Sequence, residues 1–258
     1  MMNVISIIQA RMSSSRLPNK VLLNLQGKTV LEHVVSRVAR ARHVSSVVVA
    51  TTIKKEDLAI VKMCAGLGYS VFCGSENDVL DRFYQGARLF EADHVIRITA
   101  DCPMMDPSLI DRVVDLHLET GSDYTANILE ETFPDGEDIE VFTFKALKIA
   151  WEKANLTSER EHVTPFIRKN NRIFKLSNLR APQNLSAKRW TIDNAEDYEF
   201  LQKVFGALYG QNPFFGMDEV LRVLEQHPEW ERINTHITRN EGYQKSLMED
   251  KKIGVNSK

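Results

Sequence analysis

The stretch TVLEHVVSRVARARHVSSVVVAT, residues 29–51, changes its hydrophobic period halfway along, and that change decides the fold. In its first part Val30, Leu31, Val34, Val35 and Val38 recur at helical spacing while Glu32, Arg37 and Arg40 fall elsewhere, as a surface helix over 29–41 requires. Its last part, 46–51, is a short β-rich run and reads as a strand. Outward from it the same alternation continues, with strand-like runs at 4–8, 69–73 and 94–99 and helical segments between them. Such a βαβ series predicts an α/β domain with a mostly parallel central sheet and helices on both faces, whose ligands bind beyond the carboxyl ends of the strands. The loops at those ends, 9–27, 51–55, 74–78 and 100–107, hold most of the unusual polar residues.

From about Asp123 the rhythm is less regular. Runs at 139–142 and 173–177 look like strands, and 144–154 and 159–169 like helices, so residues 123–180 read as a smaller inserted β/α region suited to acceptor binding and dimerisation. A short run at 189–192 leads to Asp193, with Asn194 a plausible N-cap for a helix from Ala195. Pro213 and Gly216 precede a last helix at 217–227, and 239–258 is a polar, weakly patterned tail expected to fray. No repeat or linker divides the chain, so 1–258 is expected to form one domain.

Hydrophobic residues make up 43% and charged residues 26% of the 258, which suits a globular domain and neither a disordered nor a fibrous one. With 33 Lys+Arg against 35 Asp+Glu there is no global basic field to hold a nucleic acid, so any basic site must be local. Cys64, Cys73 and Cys102 fit neither a disulfide framework nor paired zinc spacing, which points to a reducing cytoplasm. The N-terminal MMNVISIIQARM reads as a strand rather than a signal peptide. No apolar run reaches the ~18–20 residues of a membrane helix, so no membrane partner is expected.

Loop 9–20 carries Arg11, Arg16 and Lys20 with Ser13, Ser14 and Ser15 and no acid between them. A triphosphate needs charge-assisted donors on several oxygens, and Arg, Lys, hydroxyls and backbone N–H groups can form such a cradle. A solvated loop is the plainer explanation of the same charges. Neither GxxxxGK[ST] nor a GxGxxG after the first strand is present, which removes P-loop and dinucleotide-binding readings.

The pattern A-R-x-x-S-x-R-L-P-x-K formed by Ala10, Arg11, Ser14, Arg16, Leu17, Pro18 and Lys20 resembles the signature of the nucleotide-sugar cytidylyltransferases, which include the CMP-Kdo and CMP-sialic acid synthetases. Further motifs, GSENDVLDRF (74–83), RITADCPMMDP (97–107), EREHVTPFI (159–167) and RWTIDNAEDY (189–198), are similar to the spore-coat polysaccharide biosynthesis branch and span nearly the whole chain. The resemblance implies a Rossmann-like nucleotidyltransferase fold of GT-A type. It also implies an enzyme that moves a nucleotidyl group, CMP from CTP, to a sugar acid with release of pyrophosphate. On that resemblance Ala10, Arg11, Ser14, Arg16 and Lys20 hold the triphosphate, and Gly74, Arg82 and Thr99 bind base or ribose. Thr99 stands where relatives carry Gln, and Arg82 also suits a helix-surface salt bridge.

Asp101 ends the run RITAD, and a carboxylate there suits Mg²⁺, which takes one or two carboxylates plus phosphate oxygens. Asp106, before Pro107, suits a helix cap instead. The resemblance pairs Asp101 with Asp193, although relatives read D-x-P-E-D where this chain reads D-N-A-E-D, which leaves Asp197 as a lesser ligand. Arg11, Lys20 and Asp101 are the expected catalytic groups.

On the acceptor side, the acidic run Asp135, Glu137, Asp138 and Glu140 suits sugar hydroxyls or amines, or simple solvation. Alternation in Ile139-Glu140-Val141 turns Glu140 away from its apolar neighbours, which makes Glu140 the first acceptor candidate and His162 the second. Arg168 and Lys169 read as cations at a helix C-terminus. The family implies a homodimer. Three other functions fit parts of the pattern: a sugar 1-phosphate pyrophosphorylase using CTP or GTP, a GT-A glycosyltransferase, for which Asp101-Cys102-Pro103 lacks the second acid of D-x-D, and a non-catalytic nucleotide sensor.

Overall fold

The computed structural model describes residues 2–255. Met1 and residues 256–258 of the expected polar tail lie outside the described residues.

In chain order the elements are β1 Val4–Gln9, β2 Asn24–Leu25, β3 Lys28–Thr29, α1 Val30–Val38, β4 Ser46–Thr52, α2 Leu58–Leu67, β5 Ser70–Gly74, α3 Val79–Leu89, β6 His94–Thr99 and α4 Pro107–Thr120. Then follow β7 Tyr124–Ala126, β8 Glu140–Thr143, α5 Phe144–Lys153, α6 Thr157–His162, α7 Pro165–Lys169, β9 Leu176–Asn178, α8 Ala195–Leu208, α9 Met217–Gln226, α10 Pro228–Glu231 and α11 Glu241–Val255. Seven strands form one sheet in the order β5-β4-β1-β6-β8-β7-β9, and β2 and β3 make a small hairpin. The strands β5, β4, β1 and β6 pair in parallel, and β8 alone runs against its neighbours β6 and β7. The mostly parallel α/β sheet is therefore present, and residues 123–180 extend that same sheet by three strands.

Period-two alternation sends β1 residues to opposite faces. Ile8, with Val49 and Ile98, packs under α1, α2 and α4, whereas Ile5 and Ile7, with Val48, pack under α3 and α5. The apolar stripe of α1 is wholly buried at Val30, Leu31, Val34, Val35 and Val38, and each such side chain contributes roughly 1.5–3 kcal/mol by leaving water. Thr29 starts that helix by accepting from Glu32 N at 3.1 Å while Glu32 accepts from Thr29 N at 2.8 Å, a reciprocal cap that holds the strand-to-helix turn. A third apolar cluster, around Trp190, Phe200, Phe205 and Phe215, seats α8 and α9 beside α1.

Three expectations change. The single helix over 159–169 is two helices, because Val163 takes a left-handed φ of 69° and Pro165 offers no N–H to continue the ladder. The polar segment after Thr238 forms α11, which packs on α6 and buries Ser246 against Glu161 and His162. The run at 189–192 makes only an isolated bridge, Asp135 to Arg189. No helix among the described residues is long and apolar enough to cross a membrane.

Candidate active site

Beyond the carboxyl ends of β1 and β6 lies an open cavity of about 530 Å³. Loop 10–20 forms one wall, and its shape follows from a few hydrogen bonds. Met12 O accepts from Ser14 N at 3.0 Å and from Asn19 N at 3.2 Å, while Ser14 Oγ accepts from Leu17 N at 3.3 Å. Asn19, at φ 60°, turns the chain into a short 3₁₀ turn that begins at Lys20. From beneath, the buried Asp57 accepts from Met12 N at 2.7 Å and from the Thr52 hydroxyl. Backbone groups are thus spent on holding the loop closed, and Arg11, Ser13 and Ser15 remain at the cavity.

Lys20 reaches across to two acids. Its Nζ lies 2.6 Å from Asp101 Oδ2, 2.7 Å from Asp193 Oδ1 and 3.0 Å from the Ile192 carbonyl. Burial draws the ammonium's pKa down, but Asp101 and Asp193 outweigh burial and hold it above the ordinary lysine value. Burial likewise lifts Asp101, and Lys20 then overrides burial and brings that carboxyl to about 2.

Asp101 and Asp193 come together through the backbone. The Asp101 carbonyl accepts from Ile192 N at 2.9 Å, which brings the residue after Ile192 alongside. Arg189 clamps the far end, with Nε and Nη2 at 2.8 and 2.9 Å from the two oxygens of Asp197 and Nη1 at 2.7 Å from Asp135. Asp197 also accepts from the backbone N–H groups of Asp193 and Asn194, at 2.9 and 3.0 Å. Its carboxylate is therefore committed to the start of α8, as first-turn acids are, and it does not line the cavity. Gly136 (φ 112°) packs against residues 190 and 191, where a Cβ would lie 2.6 Å from Thr191 N, so only glycine fits. Asp106 caps α4 through Ser108 N at 2.8 Å and also accepts from Met217 N, at the start of α9, at 2.9 Å. It is a cap, as expected from Pro107.

On the side expected to hold the base, Arg82 lines the cavity and is 2% exposed, with Nη1 donating to Ser75 O at 2.8 Å. Burial, then the charge of Arg11, pushes its guanidinium down to about 10. Thr99 is also at the cavity. Gly74 is not; it closes β5, and a Cβ there would lie 2.9 Å from the Phe72 ring and 3.1 Å from Arg82 Cγ. Its smallness serves Arg82 rather than a direct approach by a base.

The acceptor candidates lie on the opposite wall. Glu140 faces away from Ile139 and Val141, and its register partner across β6 and β8 is Arg97. It is 2% exposed and its oxygens are taken: it pairs with Arg97, accepts from Tyr124 Oη at 2.7 Å, and accepts from the Thr164 hydroxyl. Expected to receive the sugar, Glu140 lines the cavity with its oxygens already engaged by Arg97, Tyr124 and Thr164. Asp135 and Asp138 both pair with Arg239, Asp135 also pairs with Arg189, and Glu137 accepts from Asp106 N, so each acid of the run has an internal partner. His162 Nε2 lies 3.0 Å from Ser246 Oγ, and burial followed by the charge of Arg97 lowers its pKa to about 4, so it is neutral at pH 7.

Arg168 is placed differently from a simple helix-end cation. It lines the cavity with its guanidinium 5.6 Å from the Tyr243 ring centre, and among the described residues no carboxylate lies within salt-bridge distance of it. Arg97 pairs with Glu140, whereas Arg168 feels that carboxylate only at longer range. A charge inside the otherwise apolar strand HVIRIT was a sign that Arg97 had a task; nothing local marked Asp57 or Tyr243.

A family profile described as cytidylyltransferase matches residues 5–233. The spore coat polysaccharide biosynthesis protein SpsF of Bacillus subtilis is 32% identical over 241 residues, 89% of this chain and 97% of that protein. A solved cytidylyltransferase from Leptospira borgpetersenii is 33% identical with a TM-score of 0.85, covering 90% of this chain and 97% of its own. A CMP:2-keto-3-deoxy-manno-octonic acid synthetase complexed with CTP shares the fold, with a TM-score of 0.60 at 17% identity over 80% of this chain and 99% of its own.

Proposed function

Since this chain belongs to the cytidylyltransferase family and is a nucleotidyltransferase, we propose that it transfers CMP from CTP to a sugar acid and releases pyrophosphate. One observation carries the reading: basic loop 10–20 and the acids Asp101 and Asp193 meet at Lys20, on one wall of a cavity whose opposite wall presents Arg168, which among the described residues has no carboxylate within salt-bridge distance. The first arrangement suits a triphosphate and the second an anionic acceptor.

Nucleotidyl transfer asks the protein to align a nucleophile with the α-phosphate and to offset the charge that builds on the phosphate oxygens. Among the described residues Arg11 and Arg82 have no carboxylate partner, and both face the cavity, placed to take phosphate oxygens. Arg16 and Lys20 reach the same oxygens by exchanging their present carboxylates for phosphate. The acceptor's acid group docks at Arg168 and at Arg97, the latter held by Glu140, which Tyr124 and Thr164 fix in turn, and this presents a hydroxyl to the α-phosphate.

Asp101 and Asp193 suit Mg²⁺, because both direct hard oxygen atoms at a point that a cation already occupies. When bound, the ion supplies charge neutralisation on the phosphates. Among the described residues no group of three or more His, Cys, Asp or Glu could hold a metal without such oxygens.

A sugar 1-phosphate would satisfy the same Arg168, so a panel separates the two acceptors. The protein is incubated with Mg²⁺, each of CTP, GTP, UTP and ATP, and either sugar acids or sugar 1-phosphates, and pyrophosphate is monitored. CTP with a sugar acid is the pair expected to release it. Release only with sugar 1-phosphates, or only with GTP, would sink the proposal, and a glycosyltransferase would release none. A nucleotide-sugar product fits polysaccharide assembly.

A further inference from the structure

Lys20 holds the position a divalent ion would need. An ammonium has three N–H donors, and here they face Asp101 Oδ2 at 2.6 Å, Asp193 Oδ1 at 2.7 Å and the Ile192 carbonyl at 3.0 Å. None is left for a phosphate. The other oxygen of Asp193 is also taken, 2.8 Å from Arg16 Nη2, and Arg16 is braced from the far side by Glu241 at 2.9 Å. The Lys20 side chain is only 12% exposed, so water does little to weaken its hold on the two carboxylates.

Mg²⁺ sheds its water reluctantly and is usually bound by one or two carboxylates together with substrate phosphates. To bind this pair alone it would have to evict a fixed ammonium and gain no phosphate oxygens in exchange. A triphosphate changes both conditions, because it offers Lys20 and Arg16 anionic partners and brings oxygens for the metal.

We propose that Lys20 is a resident counter-ion that closes the Asp101 and Asp193 pair to divalent metal until a triphosphate draws the ammonium away. Metal and triphosphate are then coupled ligands, each raising the other's affinity by the same factor. The inference rests on Asp101 and Asp193 being the metal pair.

The test reads metal binding, not turnover. Binding of Mn²⁺ is titrated by the electron paramagnetic resonance of the free ion, for the native chain and for Lys20→Met, without nucleotide. Lys20→Gln is a second variant, and thermal melts show that each is folded. Removing the ammonium leaves two adjacent carboxylates without a counter-charge, so Lys20→Met is expected to bind Mn²⁺ at least about tenfold more tightly than the native chain, a coupling of ordinary size. Asp101→Asn added to Lys20→Met should abolish that gain, and the α,β-methylene analogue of CTP should raise Mn²⁺ affinity in the native chain.

Folded Lys20 variants whose nucleotide-free Mn²⁺ affinity matches the native chain's would overturn the counter-ion role. If the native chain with the analogue still gained Mn²⁺ beyond what the free analogue binds, and Asp101→Asn with the analogue did not, the metal assignment would survive that result. If neither the variants nor the native chain with the analogue bound Mn²⁺, the assignment itself would fall.

Discussion

In the parallel half of the sheet, β5-β4-β1-β6, the working charges stand on loops beyond the strand ends: Arg11, Arg16, Lys20 and Asp101. Where the half that begins at β8 joins β6, the central pair stands across the two strands, with Arg97 opposite Glu140 in register. The first set is only partly buried, and its ion pairs can be exchanged for a ligand's. The second is fixed by Tyr124 Oη and by Thr164, whose position depends on the left-handed turn at Val163. A β-branched residue in that region costs of order 1–3 kcal/mol and persists only where surrounding structure holds it. The contrast assigns exchange of partners to the wall proposed for the triphosphate and preorganisation to the wall proposed for the acceptor.

Asp101→Asn tests the triphosphate wall most severely. Removing one charge while keeping shape should cut pyrophosphate release by about 10³-fold or more, ~4 kcal/mol of transition-state stabilisation. Full turnover would refute Asp101's role.

Acid pH should separate the halves physically. His117, 1% exposed and bonded to Thr125 of β7, is lowered to about 4 by burial and then by His94. Its folded pKa lies below the unfolded value of 6.5, so the unfolded chain takes up the proton first. Stability is therefore full above pH 6.5 and falls as pH drops towards 4, by roughly 3 kcal/mol for this group. Hydrogen exchange at pH 5 should open β7 and β8 before β1 and β4, and simultaneous opening would contradict the contrast.

Arg168→Gln should raise the acceptor's KM about 100-fold, the size of a lost charged hydrogen bond, and leave the KM for CTP nearly unchanged. Arg11→Gln should do the reverse. If both variants moved the two constants together, the walls would not be separate sites.

The smallest effect belongs beneath the loop. Asp57→Asn removes the charge that receives Met12 N and the Thr52 hydroxyl, and about a tenfold rise in the KM for CTP is expected, with the acceptor's KM unmoved. A change in kcat alone would place Asp57 in the chemistry instead of under the loop.

Legibility followed the same division. The run expected at 94–99 is β6, His94–Thr99, and 4–8 misses only Gln9 of β1, because buried parallel strands announce themselves over five or six consecutive residues. In the other half β7 is only Tyr124–Ala126, too short to show a period, and β9 starts three residues later than expected. The loop cluster Arg11, Arg16 and Lys20 was readable as a local pattern, and Asp101 by its place at a strand end. That Glu140 is spent on Arg97, or that Arg168 faces the cavity, depends on pairings between distant segments that no local window contains. The α11 helix was hidden for a related reason, since its polar sequence takes its ordering contacts from α6.

The bond between Lys20 and Asp193 joins residues 173 positions apart, and that separation has a kinetic side. Chains emerge at ~5–20 residues per second and fold from their beginning, so the parallel half is complete several seconds before Asp193 exists. The lysine between Asp101 and Asp193 thus waits for the last quarter of the polypeptide before both of its carboxylates are present.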